Sequence, residues 1–156
     1  MLARDVHQYS VALAGAHEAR GRQLRTAVSS GTLIALDDCG AIPYLSGLPA
    51  IDLLGLTDAF IARHSPAGSA HYVLEERRPE LIVLGEVDVE RAGRRSRAVR
   101  FPLDFVIARA PAFAERYEPI GSWRFVSRRD HYELRLYARH DFRDIDRLRE
   151  TGAPRP

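Results

Sequence analysis

The apolar positions of this chain follow two different periods. From Val6 to Val28 there is no Pro, and Val6, Tyr9, Leu13, Ala16, Ala19, Leu24 and Ala27 recur at helical spacing. Arg20, Arg22 and Arg25 lie in the later part of that stretch, where cations suit the negative end of a helix dipole. Ser29-Ser30-Gly31 closes it, because glycine readily takes the left-handed conformation past a helix end. Three short apolar runs have strand length: Thr32–Asp38 (TLIALDD), Leu48–Leu53 (LPAIDL) and Glu80–Glu86 (ELIVLGE). Near the end the period changes to two. Tyr117–Val126 and His131–Arg139 alternate polar and apolar across an SRRD connection, which predicts a β-hairpin.

The intervening segments complete the order. Ala41–Gly47 (AIPYLSG) is one helical turn, with Pro43 near its start. Gly55–Asp58 turns the chain, and Thr57 or Asp58 can cap a short helix over Ala59–Arg63. His64–Ser69 reads as a loop, and Ala70–Arg78 as a helix that stops before Pro79. The succession helix, RRPE, LIVL is the joint expected in a parallel sheet. Arg91–Arg100 (RAGRRSRAVR) reads as a solvated loop, Leu103–Arg109 as a short strand or helix, and the residues before Tyr117 as helical. The polar tail from Asp141 is predicted to fray. The fold expected is a single-domain α/β sandwich, with a largely parallel central sheet and an antiparallel C-terminal hairpin at its edge. Residues 1–30 form its N-terminal helix, 31–140 the α/β body and 141–156 the tail.

Composition narrows the chemistry. A chain of 156 residues with 46% hydrophobic and 28% charged residues can build one core and is not disordered by composition. All 23 basic residues are Arg, so no Schiff-base or P-loop lysine is available. The formal charge is only +2, and the Arg91–Arg100 cluster has no interleaved aromatics, so no nucleic-acid partner is expected. The single Cys39 excludes an internal disulfide and a cysteine-based zinc site, and its acidic neighbours should raise the thiol pKa. The six His stand singly, without HxH or HxxxH spacing, and no metal site is expected from them. No apolar run approaches the roughly 20 residues of a membrane span, and the first ten residues lack a signal-peptide core, so the chain as given reads as soluble.

Candidate chemistry concentrates in Leu36–Asp58, LDDCGAIPYLSGLPAIDLLGLTD. Asp37 and Asp38 end the first apolar run and Asp52 lies near the end of the second. In open parallel sheets, ligands gather at such strand ends. If the strands are neighbours, Asp37, Asp38 and Asp52 can serve acid/base chemistry or hold Mg²⁺ in a freestanding enzyme, the only reading that needs a cofactor. Strand-end Asp followed by Gly is equally ordinary turn chemistry. Gly40, Gly47 and Gly55 suit positions of positive φ or close backbone approach, and the GxGxxG spacing of a dinucleotide site is absent. Tyr44 and Ser46 can hydrogen-bond a sugar, or Tyr44 can be a half-buried aromatic with a wet hydroxyl. A third possibility is a protein-interaction module using the edge hairpin, Trp123 to Tyr137.

The run TLIALDDCGAIPYLSGLPAIDLLGLTD also resembles a pattern of strand, Asp-x-Gly-Ala-Ile/Leu-x-Tyr-x-Ser/Gly, then Val/Ile-Asp-x-x-Gly-Leu-x-Asp/Ser. That pattern belongs to the C-terminal soluble domain of GT-C membrane glycosyltransferases, which use polyprenyl-phosphate sugars. Protein mannosyltransferases and arabinofuranosyltransferases are examples. Asp37, Gly40, Tyr44, Asp52, Gly55 and Asp58 occupy matching positions. The joint Arg77–Val83 and the closing strand with Tyr132, Leu134, Tyr137 and Arg139 match too. Pro43 stands where many such motifs have Gly, and Cys39 is particular to this chain. The resemblance implies a juxtamembrane N-terminal helix and an extracytoplasmic domain that is not catalytic in isolation. It also implies a membrane glycosyltransferase unit in cis, absent from this chain, and a glycan or lipid-linked sugar as ligand.

Overall fold

The computed structural model describes residues 2–91, 94–126 and 131–151. The elements run α1 (Leu2–Ala27), β1 (Ile34–Leu36), α2 (Ala41–Ser46), β2 (Ala50–Asp52), a 3-10 turn (Ile61–Arg63), α3 (Pro66–His71) and β3 (Leu81–Arg91). They continue with β4 (Arg94–Val99), α4 (Pro102–Arg109), α5 (Pro111–Arg116), β5 (Tyr117–Val126), β6 (His131–Arg139) and α6 (Ile145–Glu150). One mixed sheet joins all six strands in the order β2-β1-β3-β6-β5, with β4 paired to the far half of β3. β2, β1 and β3 are parallel, and β6 and β5 extend the sheet antiparallel. The fold is the α/β class that the alternation of runs predicts, with the hairpin at the edge.

Both faces of the sheet are covered, which is why its inner strands read as continuous apolar runs rather than alternating ones. Leu81 and Val83 of β3 join Ile34, Leu36, Leu134 and Leu136 in a core roofed by Leu24, Ala27, Ile42 and Leu148 from α1, α2 and α6. Their neighbours Ile82 and Leu84 point the other way, into Ile51, Val73, Leu103, Ile107 and Phe113 under α3, α4 and α5. Edge strand β5 carries a register shift between Pro119 and Gly121, where a residue without an N–H does least harm.

Several local expectations change. His64–Ser69 is not all loop: Ser65 caps α3 by accepting from the Gly68 N–H at 3.3 Å, and Pro66 takes the first helical position. α3 continues as a π-helical segment, Tyr72–Arg77, ending at Arg78 in the left-handed region at φ 46°. Leu103–Arg109 is helical, its N-terminus set by Pro102. The Arg-rich segment is a strand rather than a solvated loop. β3 runs well past the end of β1, and β4 folds back to pair Glu86–Arg91 with Arg94–Val99. Residues 92–93 of that segment and the SRRD stretch at 127–130 lie outside the described residues.

The tail does not fray over its first part. Phe142 and Leu148 are buried, and the Asp144 carboxylate accepts from the Ser29 N–H at 2.8 Å and its hydroxyl at 2.7 Å. Phe142, Ile145 and Leu148 form a narrow apolar stripe at helical spacing inside an otherwise polar sequence, enough to dock α6 on α1 and β5. Residues 152–156 lie outside the described residues.

Candidate functional site: an acid pair in a notch of the sheet

The carboxyl ends of the parallel strands form a notch. β1 stops at Leu36, while β3 continues and meets β4 from Glu86 onward on the same side. At Gly85, between the two, the sheet is patched without a strand. The Gly85 N–H donates to Asp104 Oδ2 at 3.0 Å, and its carbonyl accepts from the Arg100 N–H at 2.9 Å. Asp104 reaches this position from the first turn of α4. Gly85 itself is required by close approach, since a Cβ there would lie 2.8 Å from the Tyr132 hydroxyl.

Asp37, the first residue past β1, faces this notch. It is 4% exposed and Asp104 is 0% exposed. Among the described residues, no N–H or hydroxyl group donates to either Asp37 oxygen or to Asp104 Oδ1, so the two carboxyls have only each other there. The two carboxyls interact directly, so one must carry a proton for the pair to persist. Burial, the Asp104 charge and the hydrogen bond between them push Asp37 up to about 9. Burial also raises Asp104, to about 6, against the hydrogen bonds from Asp37 and the Gly85 N–H. Across the neutral range the pair therefore holds one proton, on Asp37, and one charge, which Arg100 partly offsets.

A second layer lies beside it. Asp38 Oδ2 is 3.6 Å from His17 Nε2 of α1 and accepts from the Tyr132 hydroxyl at 3.5 Å. Burial holds His17 below its usual pKa despite the attraction of Asp38. The Arg100 guanidinium covers the Tyr132 ring at 4.6 Å. Asp38, half-buried, and Arg100, exposed, are the outward-facing groups of the cluster.

The remaining motif residues are occupied elsewhere. Asp52 is buried and spent on its own turn. Oδ1 accepts from the Leu54 N–H at 3.0 Å, and Oδ2 from the Thr57 N–H at 2.6 Å and hydroxyl at 3.1 Å. Asp58 accepts from the Phe60 and Ile61 N–H groups at 2.9 and 3.2 Å, so it, rather than Thr57, caps the 3-10 turn. Gly55 has φ +72°, and a Cβ there would stand 2.7 Å from the Ala62 nitrogen. Ser46 is buried, bonding the Pro43 carbonyl and the Leu48 N–H, and so is not presented to a sugar. Tyr44 is 86% exposed rather than half-buried, and Gly40 is exposed with open space around it.

The set Asp37, Asp38 and Asp52 is thus not assembled as a metal site. Among the described residues, no group of His, Cys, Asp and Glu could hold a metal ion. Cys39 behaves as expected: burial and the charges of Asp52, Asp37 and Asp38 raise its thiol to about 12. Sequence reasoning missed Asp104, Gly85, His17 and Arg100 as members of the cluster. Two signals were present. An isolated Gly inside an apolar strand marks close approach, and FPLD places a carboxylate in a helix's first turn. Neither signal identifies Asp37 as the partner.

No helix among the described residues is long and apolar enough to cross a membrane. No curated protein and no solved structure matches the chain. A family model does: the domain of unknown function DUF8728 matches residues 5–137, most of the chain, and the protein belongs to that family.

Proposed function

We propose that this chain is an accessory α/β domain of a membrane glycosyltransferase, presenting a glycan-facing edge rather than a catalytic centre. The observation that carries the reading is how the motif acids are used. Asp52 and Asp58 are consumed by turn hydrogen bonds, and Asp37 is sealed against Asp104. The motif side chains left facing solvent are Tyr44 and Leu56, at 86% and 82% exposure, in the segments that follow β1 and β2. An exposed aromatic with a polar hydroxyl suits the apolar face and hydroxyl rim of a sugar, and it is ill suited to breaking a glycosidic bond. Under this reading the transfer chemistry belongs to a membrane unit, and the chain works on the extracytoplasmic side.

The test is genetic and biochemical. The coding region upstream of Met1 and the adjacent genes are expected to encode a multi-spanning membrane protein. In detergent the chain should travel with it, and a topology reporter fused to the chain should be active outside the cytoplasm. A coding region without membrane spans nearby, together with a cytoplasmic reporter signal, would end the proposal.

The freestanding metal-dependent alternative has lost its ligand set, because both Asp52 oxygens are committed to backbone and Thr57 donors. A melting temperature that rises with Mg²⁺ and stops rising in Asp37→Asn would restore it.

A further inference from the structure

The end of the sheet opposite the notch holds a cavity of about 320 Å³, lined by Arg78, Glu115, Arg116, Arg139, His140 and Asp141. That volume falls at the lower end of the small-molecule range. Three parts of the fold meet there. The turn before β3 supplies Arg78, the end of α5 supplies Glu115 and Arg116, and β6 ends at Arg139 with His140 and Asp141 just beyond.

The charges around the cavity are not matched one to one. Arg78 and Arg116 share one acid, Glu75, whose Oε2 lies 2.9 Å from Arg116 Nη1 and 3.9 Å from Arg78 Nη2. Arg139 has two acids, with Nε 2.5 Å from Asp141 and Nη2 3.6 Å from Glu80. One side thus carries an excess of positive charge, and the other an excess of negative charge. Each guanidinium has five N–H donors. Arg116 reaches Glu75 and the Leu74 carbonyl through Nη1 alone, and Arg78 reaches the Glu75 carbonyl through Nε. Among the described residues, Nε and Nη2 of Arg116 and Nη1 of Arg78 have no protein acceptor.

The backbone is strained at the same place. Arg78, at φ 46°, is the one non-glycine residue with positive φ among the described residues, and it ends the π-helical segment Tyr72–Arg77. Glycine would take that conformation at less cost. Left-handed non-glycine residues and π-helical turns gather at functional sites. The turn is also held firmly: Arg139 donates to the Arg78 carbonyl, and the Tyr117 hydroxyl to the Pro79 carbonyl at 2.7 Å.

We propose that this cavity binds a small hydroxylated oxyanion, a phosphate ester or a carboxylate. The anionic group sits on Arg78 and Arg116, and the hydroxyls donate to Asp141 and Glu115. The site does not rest on the glycosyltransferase reading and stands or falls without it.

Calorimetric titration of the full chain tests it, with sodium chloride at matched ionic strength as the reference. Glycerol 3-phosphate is compared with inorganic phosphate, and glycerate with acetate. Saturable binding of a hydroxylated anion is expected, several-fold tighter than that of its bare counterpart. Whichever of glycerol 3-phosphate and glycerate binds more tightly assigns phosphate or carboxylate. Arg78→Gly should weaken that binding about tenfold, the loss of one charge-assisted hydrogen bond. Its melting temperature should not fall, because the backbone strain is relieved, so the lost affinity is not lost folding. Arg116→Gln should weaken binding similarly. No saturable heat beyond that of chloride would overturn the proposal. Equal affinity for hydroxylated and bare anions, or unchanged affinity in both variants, would do the same.

Discussion

Replacing Asp37 by Asn tests the reading of the notch most directly. In the folded chain Asp37 titrates near 9, against an ordinary carboxyl value of 3.8. A group whose folded pKa is raised favours folding fully only below its unfolded pKa. That contribution is lost as pH rises toward the folded value. Asp104, raised to about 6, loses its share over the lower part of the same window. At pH 7 the native chain holds a proton that the unfolded chain has released, at a cost of about 4 kcal/mol for a difference of roughly three pH units.

Asn is nearly isosteric with the protonated carboxyl, and its amide can donate to Asp104 in place of the Asp37 proton. The variant should therefore gain stability at pH 8, on the order of 2–4 kcal/mol, and differ little from wild type near pH 4. For a domain of this size that corresponds to a rise in melting temperature of roughly 5–15 °C. Thermal melts followed by circular dichroism at half-unit steps from pH 4 to pH 9, on both proteins, give the comparison. Two pH–stability curves that run parallel, or an Asn variant less stable at pH 8, would refute the shared-proton account.

Three further outcomes are expected. Asp52→Ala removes a buried acceptor of three hydrogen bonds and should cost about 2–4 kcal/mol in urea unfolding, where an active-site acid would leave stability intact or improved. Arg78→Gly relieves a left-handed arginine at φ 46° and should raise stability by about 0.5–1 kcal/mol in the same assay; a loss would mean that its contact with the Glu75 carbonyl outweighs the backbone strain. Cys39, its thiol raised to about 12, should react with a thiol-specific reagent at pH 8 on the order of a thousandfold more slowly in the folded chain than after denaturation. Equal rates would show that the acids around it are not where the structure places them.

Much of the architecture was legible because it follows from local pattern. A run such as LIVL, buried on both sides, announces an inner strand, and the alternation in HYELRLYAR announces an outer one. The Asp and Gly residues after β2 were legible as turn formers, and Asp52 and Asp58 do that work. Arg94–Val99 was not legible as a strand, because its pairing depends on how far β3 overruns β1. The docking of α6 was masked by its polar composition, although Phe142, Ile145 and Leu148 carried the stripe.

By itself, then, the sequence determined the α/β class, the parallel start of the sheet and its antiparallel hairpin, and offered turn chemistry as one of two readings of the Asp and Gly residues near β2. It determined these because backbone periodicity and turn stereochemistry act over a few residues. Only the tertiary structure decided that Asp37 meets Asp104 rather than Asp52, that Gly85 makes room for Tyr132, and that the Arg20 guanidinium lies over the Trp123 ring. Each of these joins residues from distant elements, and each turns on desolvation. The same carboxyl or guanidinium is an ordinary surface charge until packing removes its water, and no local pattern records where that happens.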